Sequence, residues 1–237
     1  LPLSIFRSRQ FTGANLTTLF VYAALSTLFF LLMLVLQDAL GYSALLAGAS
    51  LLPVNLLMLL LSPLAGRVGE RIGPRWPMTT GALVAALGLT LLTRVGPGAS
   101  YLTTLLPALA IFGLGLATFV APLTAAVLGA VPAQTTGVAS GINNAVARFA
   151  GLLAVAVLPL AAGMGGLERL AGPALVAGYT RASWISAALC VLGAATAFFT
   201  IRGGASVARA PHPSPAQGCT QRSAAPGDGS RPGERSE

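Results

Sequence analysis

From Thr12 to Leu36 the chain carries no charged side chain. A helix crossing the ~30 Å hydrocarbon core of a bilayer needs roughly 20 mostly apolar residues, and this run is long enough. Five more such runs follow, over about 44–65, 77–93, 101–128, 138–163 and 181–201. A water-soluble domain is typically about 25% charged. This chain of 237 residues is 8% charged, too little to cover a water-facing surface, and its mean hydropathy is +0.80. The sequence therefore predicts an all-α integral membrane protein of six transmembrane helices, with the lipid bilayer as its first partner. Membrane β-strands are excluded, because the runs are too long and lack an alternation of period two.

The separators read as turns. Gln37–Ser43, Val95–Ser100 and Gly129–Gly137 hold the Gly, Pro and Ser that break helices. Arg7 and Arg9 ahead of the first run resemble the head of a signal peptide, but that run exceeds a signal core and lacks a small-residue cleavage site. Arginine placement orients the chain. Arg7, Arg9, Arg67, Arg71, Arg75, Arg202 and Arg209 fall on one side, against Arg94, Arg169 and Arg181 on the other. The side richer in basic residues faces the cytoplasm, which puts the N-terminus and the C-terminal tail there, in the cell (plasma) membrane. The tail, 202–237, is rich in Pro, Gly and Ser and buries too little apolar surface to fold, so it reads as disordered.

The inventory of reactive groups is short. All fourteen basic residues are arginine, and the six carboxylates are scattered. His212 stands alone in the tail, and Cys190 and Cys219 share no metal or disulfide spacing. No catalytic constellation, metal site or cofactor is predicted, and no phosphate-cradling G-x-x-x-x-G-K-[ST] run is present. The arginines punctuate apolar runs instead of clustering on one soluble face, so nucleic acid is not a partner.

Polar residues inside the runs are the candidate site. In the first run Asn15, Thr18, Tyr22 and Ser26 fall on one narrow helical stripe. Such a stripe either lines a cavity or hydrogen-bonds a neighbouring helix. The fifth run holds Asn143, Asn144 and Arg148, the last being a charge well inside a span, together with Gly137, Gly141 and Gly151. The Gly137–Gly141 spacing is that of close helix approach. Arg148 either snorkels to the interface, meets a buried partner, or serves an anionic site. Asn55 in the second run is a further cavity candidate. Pro53, Pro107, Pro122 and Pro159 lie inside predicted spans and are expected to kink them.

Between the second and third runs stands GRVGERIGPR, Gly66–Arg75. Read physically, its glycines allow a tight turn. Glu70, just ahead of the third helix, gains about 0.3–1 kcal/mol from the helix dipole. Its arginines anchor the loop at the cytoplasmic surface. The pattern resembles the G-x-x-x-D-R-x-G-R-R signature of the major facilitator superfamily. Gly66, Arg71, Gly73 and Arg75 match, Glu70 replaces the Asp, and Pro74 replaces an Arg. Leu36–Pro53 and Gly137–Val157 look like the C-terminal half of the fourteen-span drug:proton antiporters of the EmrB/QacA type. The resemblance covers about 1–202. It implies one six-helix half of a major facilitator fold, and a loop (Gly66, Glu70, Arg71, Gly73, Arg75) that latches neighbouring helices during gating. It also implies proton-driven efflux of lipophilic small molecules by alternating access. The chain begins at Leu1 and reads as starting partway through a longer protein. No carboxylate lies deep in a span, so the coupling group is expected in a missing N-terminal transmembrane half. A non-transporting membrane scaffold or remnant half-transporter is the competing reading.

Overall fold

The structure is a computed structural model that describes residues 3–165 and 172–202. Among the described residues every regular element is helical. Helix α1 (Arg9–Leu34) opens where the Ser8 hydroxyl accepts a hydrogen bond from the Phe11 amide, satisfying an otherwise orphaned donor. It continues as a π-helical turn, Val35–Ala39. Helix α2 (Ala44–Ala49) is capped by Ser43 in the same way. After a break at Ser50 and Leu51 the rod resumes as α3 (Leu52–Ile72). Pro53 stands at the start of α3, where its missing N–H costs nothing, so it marks the break and not a mid-helix kink. Helices α4 (Arg75–Leu92), α5 (Leu106–Leu128), α6 (Thr136–Ala161) and α7 (Gly172–Thr200) complete the set, and a π-helical turn, Tyr101–Leu105, leads into α5.

Among the described residues five segments are long and apolar enough to cross a membrane: 9–39, 44–72, 101–128, 133–161 and 172–200. Helix α4 is the remaining rod. Its 18 residues span about 27 Å, close to the hydrocarbon thickness. It opens on Arg75, Trp76 and Pro77, which dilute its apolar character. That is tolerable because more than half of its residues are buried, between α5 and α7.

Each helix has well-defined principal neighbours. Helix α1 lies against both α6 and α7, α7 against α4, α4 against α5, and α5 against α3. The side-by-side order is therefore α6, α1, α7, α4, α5, α3. Two apolar clusters fill the interior. One joins Leu31, Leu32 and Leu36 to Leu89, Leu109, Phe112 and Tyr179. The other joins Phe11 and Val21 to Met78, Phe119, Leu123 and Ala194. Small residues set the spacing between rods. A Cβ at Gly88 would stand 2.6 Å from the Phe112 backbone nitrogen, and one at Gly113 would stand 3.0 Å from the Val54 Cα. Helices can approach this closely only where a side chain is missing.

The flanking helices α3 and α6 leave large apolar side chains bare. Leu59 is 73% exposed and Phe149 60%, alongside Leu52, Leu56, Leu60 and Leu160. An apolar surface of this extent would drive association in water, whereas acyl chains solvate it.

Two helix ends differ from those the sequence predicts. The last helix begins at Gly172, nine residues ahead of Arg181. Arg181 lies within it and donates to the carbonyl of Ala162 at 3.4 Å, the C-cap of α6. A cation at a helix C-terminus complements the dipole, so this arginine is drawn into a helix–helix contact. The second difference lies at Gly66–Arg75. Helix α3 runs through Ile72, and only Gly73 and Pro74 are non-helical. The tail 203–237, with Arg209, His212 and Cys219, lies outside the described residues, as does Arg169.

Candidate functional site

The polar stripe of α1 divides along its length. Asn15 and Thr18 are buried and both face Asn143 of α6. The Asn143 amide donates to Asn15 Oδ1 at 3.2 Å and to Thr18 Oγ1 at 2.8 Å. Asn15 in turn donates to the Phe11 carbonyl, and Thr18 to that of Ala14. These polar groups thus join helix to helix, where hydrocarbon offers them no alternative partner.

Further along, the same stripe opens. Tyr22 and Ser26 of α1 line a cavity of about 730 Å³ with Asn144, Arg148, Gly151, Leu152, Val155 and Ala156 of α6. That volume is drug-sized. Both alternatives left by the sequence are therefore present, at different depths of one helix pair. At Gly151 the missing side chain leaves room for Ser26: a Cβ there would meet its Oγ at 2.6 Å. The Gly137–Gly141 spacing does not produce such an approach: a Cβ at either position meets nothing within 4 Å.

Arg148 lies midway along α6, and among the described residues it has no hydrogen-bond or ion-pair partner. Its side chain is exposed and borders the cavity. Asn55 is exposed on α3, makes no side-chain hydrogen bond among the described residues, and is not brought to the α1–α6 cavity.

The residues of the predicted loop signature are mostly helical. Gly66 and Gly69 serve packing and not a turn. A Cβ at Gly66 would touch Ala121 at 3.6 Å, and one at Gly69 would touch Pro122 Cγ at 3.2 Å, both on α5. Glu70 and Arg71 stand exposed at the C-terminal end of α3, so the N-terminal dipole gain expected for Glu70 is not realised. Arg71, by contrast, has the sign the C-terminal dipole favours. The chain reverses at Gly73, whose φ of +86° suits a residue without Cβ. Pro74 follows. Arg75 turns its guanidinium over the Phe198 ring of α7, 4.1 Å from the centroid, and lies 5.9 Å from that of Trp76. Its Nε is buried without a hydrogen bond.

Sequence reading missed three links. Thr17 and Thr196 share a hydrogen bond of 2.9 Å between α1 and α7. Asp38 accepts from the Gly172 amide at 2.9 Å, tying the end of α1 to the start of α7. Phe198 receives Arg75. Only the second carried a signal, a lone carboxylate at the end of an apolar run.

A model of the Major Facilitator Superfamily matches residues 14–226. The chain is 32% identical over 158 residues to the multidrug resistance protein Stp of Mycobacterium tuberculosis, an alignment covering 67% of this chain and 29% of that protein. To the tetracenomycin C resistance and export protein of Streptomyces glaucescens it is 33% identical over 163 residues, again 67% of this chain and 29% of the relative. To the multidrug export protein EmrB of Haemophilus influenzae it is 33% identical over 152 residues, covering 63% and 29%. The matched part is thus less than a third of each relative's length. Among solved structures, a bacterial homologue of the human drug peptide transporters PepT1 and PepT2 shares the fold, with a TM-score of 0.66 at 15% identity, over 84% of this chain and 44% of that one. With most of its length matched by the family model, this chain belongs to the Major Facilitator Superfamily.

Proposed function

We propose that the chain is the C-terminal six-helix half, residues 1–201, of a proton-coupled multidrug exporter that works by alternating access. It sits in the plasma membrane with its N-terminus and the tail 202–237 on the cytoplasmic side. Its work is transport and not catalysis. The observation that carries the reading is the mid-helix cavity between α1 and α6, bordered by Tyr22, Ser26, Asn144 and Arg148. Substrate sites of secondary transporters lie near the bilayer midplane, between halves. Relatives named for drug resistance and export support a lipophilic drug-like substrate. Matching 29% of those relatives, the chain completes a transport path only with a further transmembrane half, which supplies the proton-carrying carboxylate. Gly66, Glu70, Arg71, Gly73 and Arg75 act in gating, at the end of α3 and the start of α4.

Dye efflux tests this. The chain is expressed alone and joined to its N-terminal half, and uncoupler-sensitive efflux is measured in cells. Efflux by the joined protein and none by the chain alone is the expected result. Correctly inserted joined protein that exports none of a panel of lipophilic dyes overturns it in favour of a membrane scaffold.

A further inference from the structure

The cavity between α1 and α6 has a charge. Arg148 is the charged group among its lining residues, and it stands midway along α6. An arginine at this depth is costly in hydrocarbon and is retained where it faces water or a counter-charge. No counter-charge comes from the described part of the chain. Asp38 is engaged with the Gly172 amide at the far end of α1, and Glu70 stands at the end of α3. Arginine presents planar paired donors that match carboxylate and sulfonate oxygens. Around it, the Tyr22 and Ser26 hydroxyls and the Asn144 amide offer further hydrogen bonds, while Leu152 and Val155 supply an apolar wall. A cavity of about 730 Å³ is far larger than an inorganic anion requires.

We infer that this cavity selects amphipathic organic anions, molecules with an apolar body and one carboxylate, sulfonate or comparable acid group, and that Arg148 reads the acid. A lipophilic cation would meet a like charge there, with no carboxylate among the described residues to offset it. The inference rests on the reading of this cavity as the substrate site, and it narrows the substrate class of that site.

The test is direct binding to the 237-residue chain in phosphatidylcholine nanodiscs, which add no net lipid charge. Two fluorescent naphthalene probes of equal size are compared, one bearing a sulfonate and one a trimethylammonium group. The sulfonate is expected to bind at least about tenfold more tightly. Arg148→Gln is expected to erase that preference, and Arg148→Lys, which keeps the charge but loses the planar fork, to retain it in weakened form; helicity of both variants is checked by circular dichroism. Equal affinities in the unaltered chain, a preference for the cation, or a sulfonate affinity indifferent to Arg148→Gln overturns the inference. Should Arg148→Gln lose its helicity, Arg148→Lys and the competition of the two probes on the unaltered chain decide. Failure of dye efflux with Arg148-dependent sulfonate binding intact overturns the exporter reading alone. Efflux with no such binding overturns this inference alone.

Discussion

The guanidinium of Arg75 lies 4.1 Å from the ring centroid of Phe198, so the turn between α3 and α4 is fastened to the end of the last helix. The contact joins the beginning of α4 to the C-terminal part of α7. Phe198 also packs edge-on against Trp76, at 5.9 Å, and the three side chains form one stack. Cation–π contacts contribute about 0.5–2 kcal/mol, more where desolvated. Arg75→Ala and Phe198→Ala should each destabilise the detergent-solubilised protein by about 1 kcal/mol. In a double-mutant cycle followed by thermal unfolding the two losses should fail to add. Additive losses would mean the residues act separately.

Asn143 offers a second test. It donates to both Asn15 and Thr18, and polar bonds between membrane helices are worth about 0.6–2 kcal/mol. Asn143→Leu should lower stability by about 1 kcal/mol, measured by loss of helicity in SDS titration. Combined with Thr18→Val it should cost less than the sum of the two single changes.

Glycines that look alike in sequence should respond differently. Gly88→Val places a side chain against the Phe112 backbone, 2.6 Å from the first added carbon. It should force α4 from α5 and cost about 3 kcal/mol or more, seen as a lower monodisperse fraction in size-exclusion chromatography. Gly141→Ala meets nothing within 4 Å and should leave that fraction unchanged.

Arg71 separates gating from anchoring. One cytoplasmic arginine among several scarcely alters topology. Arg71→Ala in the joined protein should therefore cut efflux several-fold while the inserted amount, read by membrane immunoblot, changes little. An equal fall in both would reduce Arg71 to a topological anchor.

The rods were legible in the sequence because each must satisfy its own backbone hydrogen bonds in lipid, so apolar length alone locates them. The stripe Asn15–Thr18–Tyr22–Ser26 was legible as a stripe, since helical periodicity fixes which side chains share a face. Its division into a bonded half and an open half was not, because that depends on where α6 diverges from α1. The end of α3 was misplaced for a similar reason. Gly66 and Gly69 suggest a turn by composition, yet they lie against α5 at Ala121 and Pro122, and that packing holds the helix to Ile72. The stack of Arg75 on Phe198 joins residues far apart in sequence, and no local pattern announces it.

The neighbour order places α6 at one flank and α3 at the other, each held mainly by a single partner, α1 and α5 respectively. Cohesion is therefore graded from the middle outward. Under mechanical load or in harsh detergent the protein should come apart like a fan losing its outer ribs, with amide exchange quickening first in these two helices while α1, α4, α5 and α7 still protect theirs.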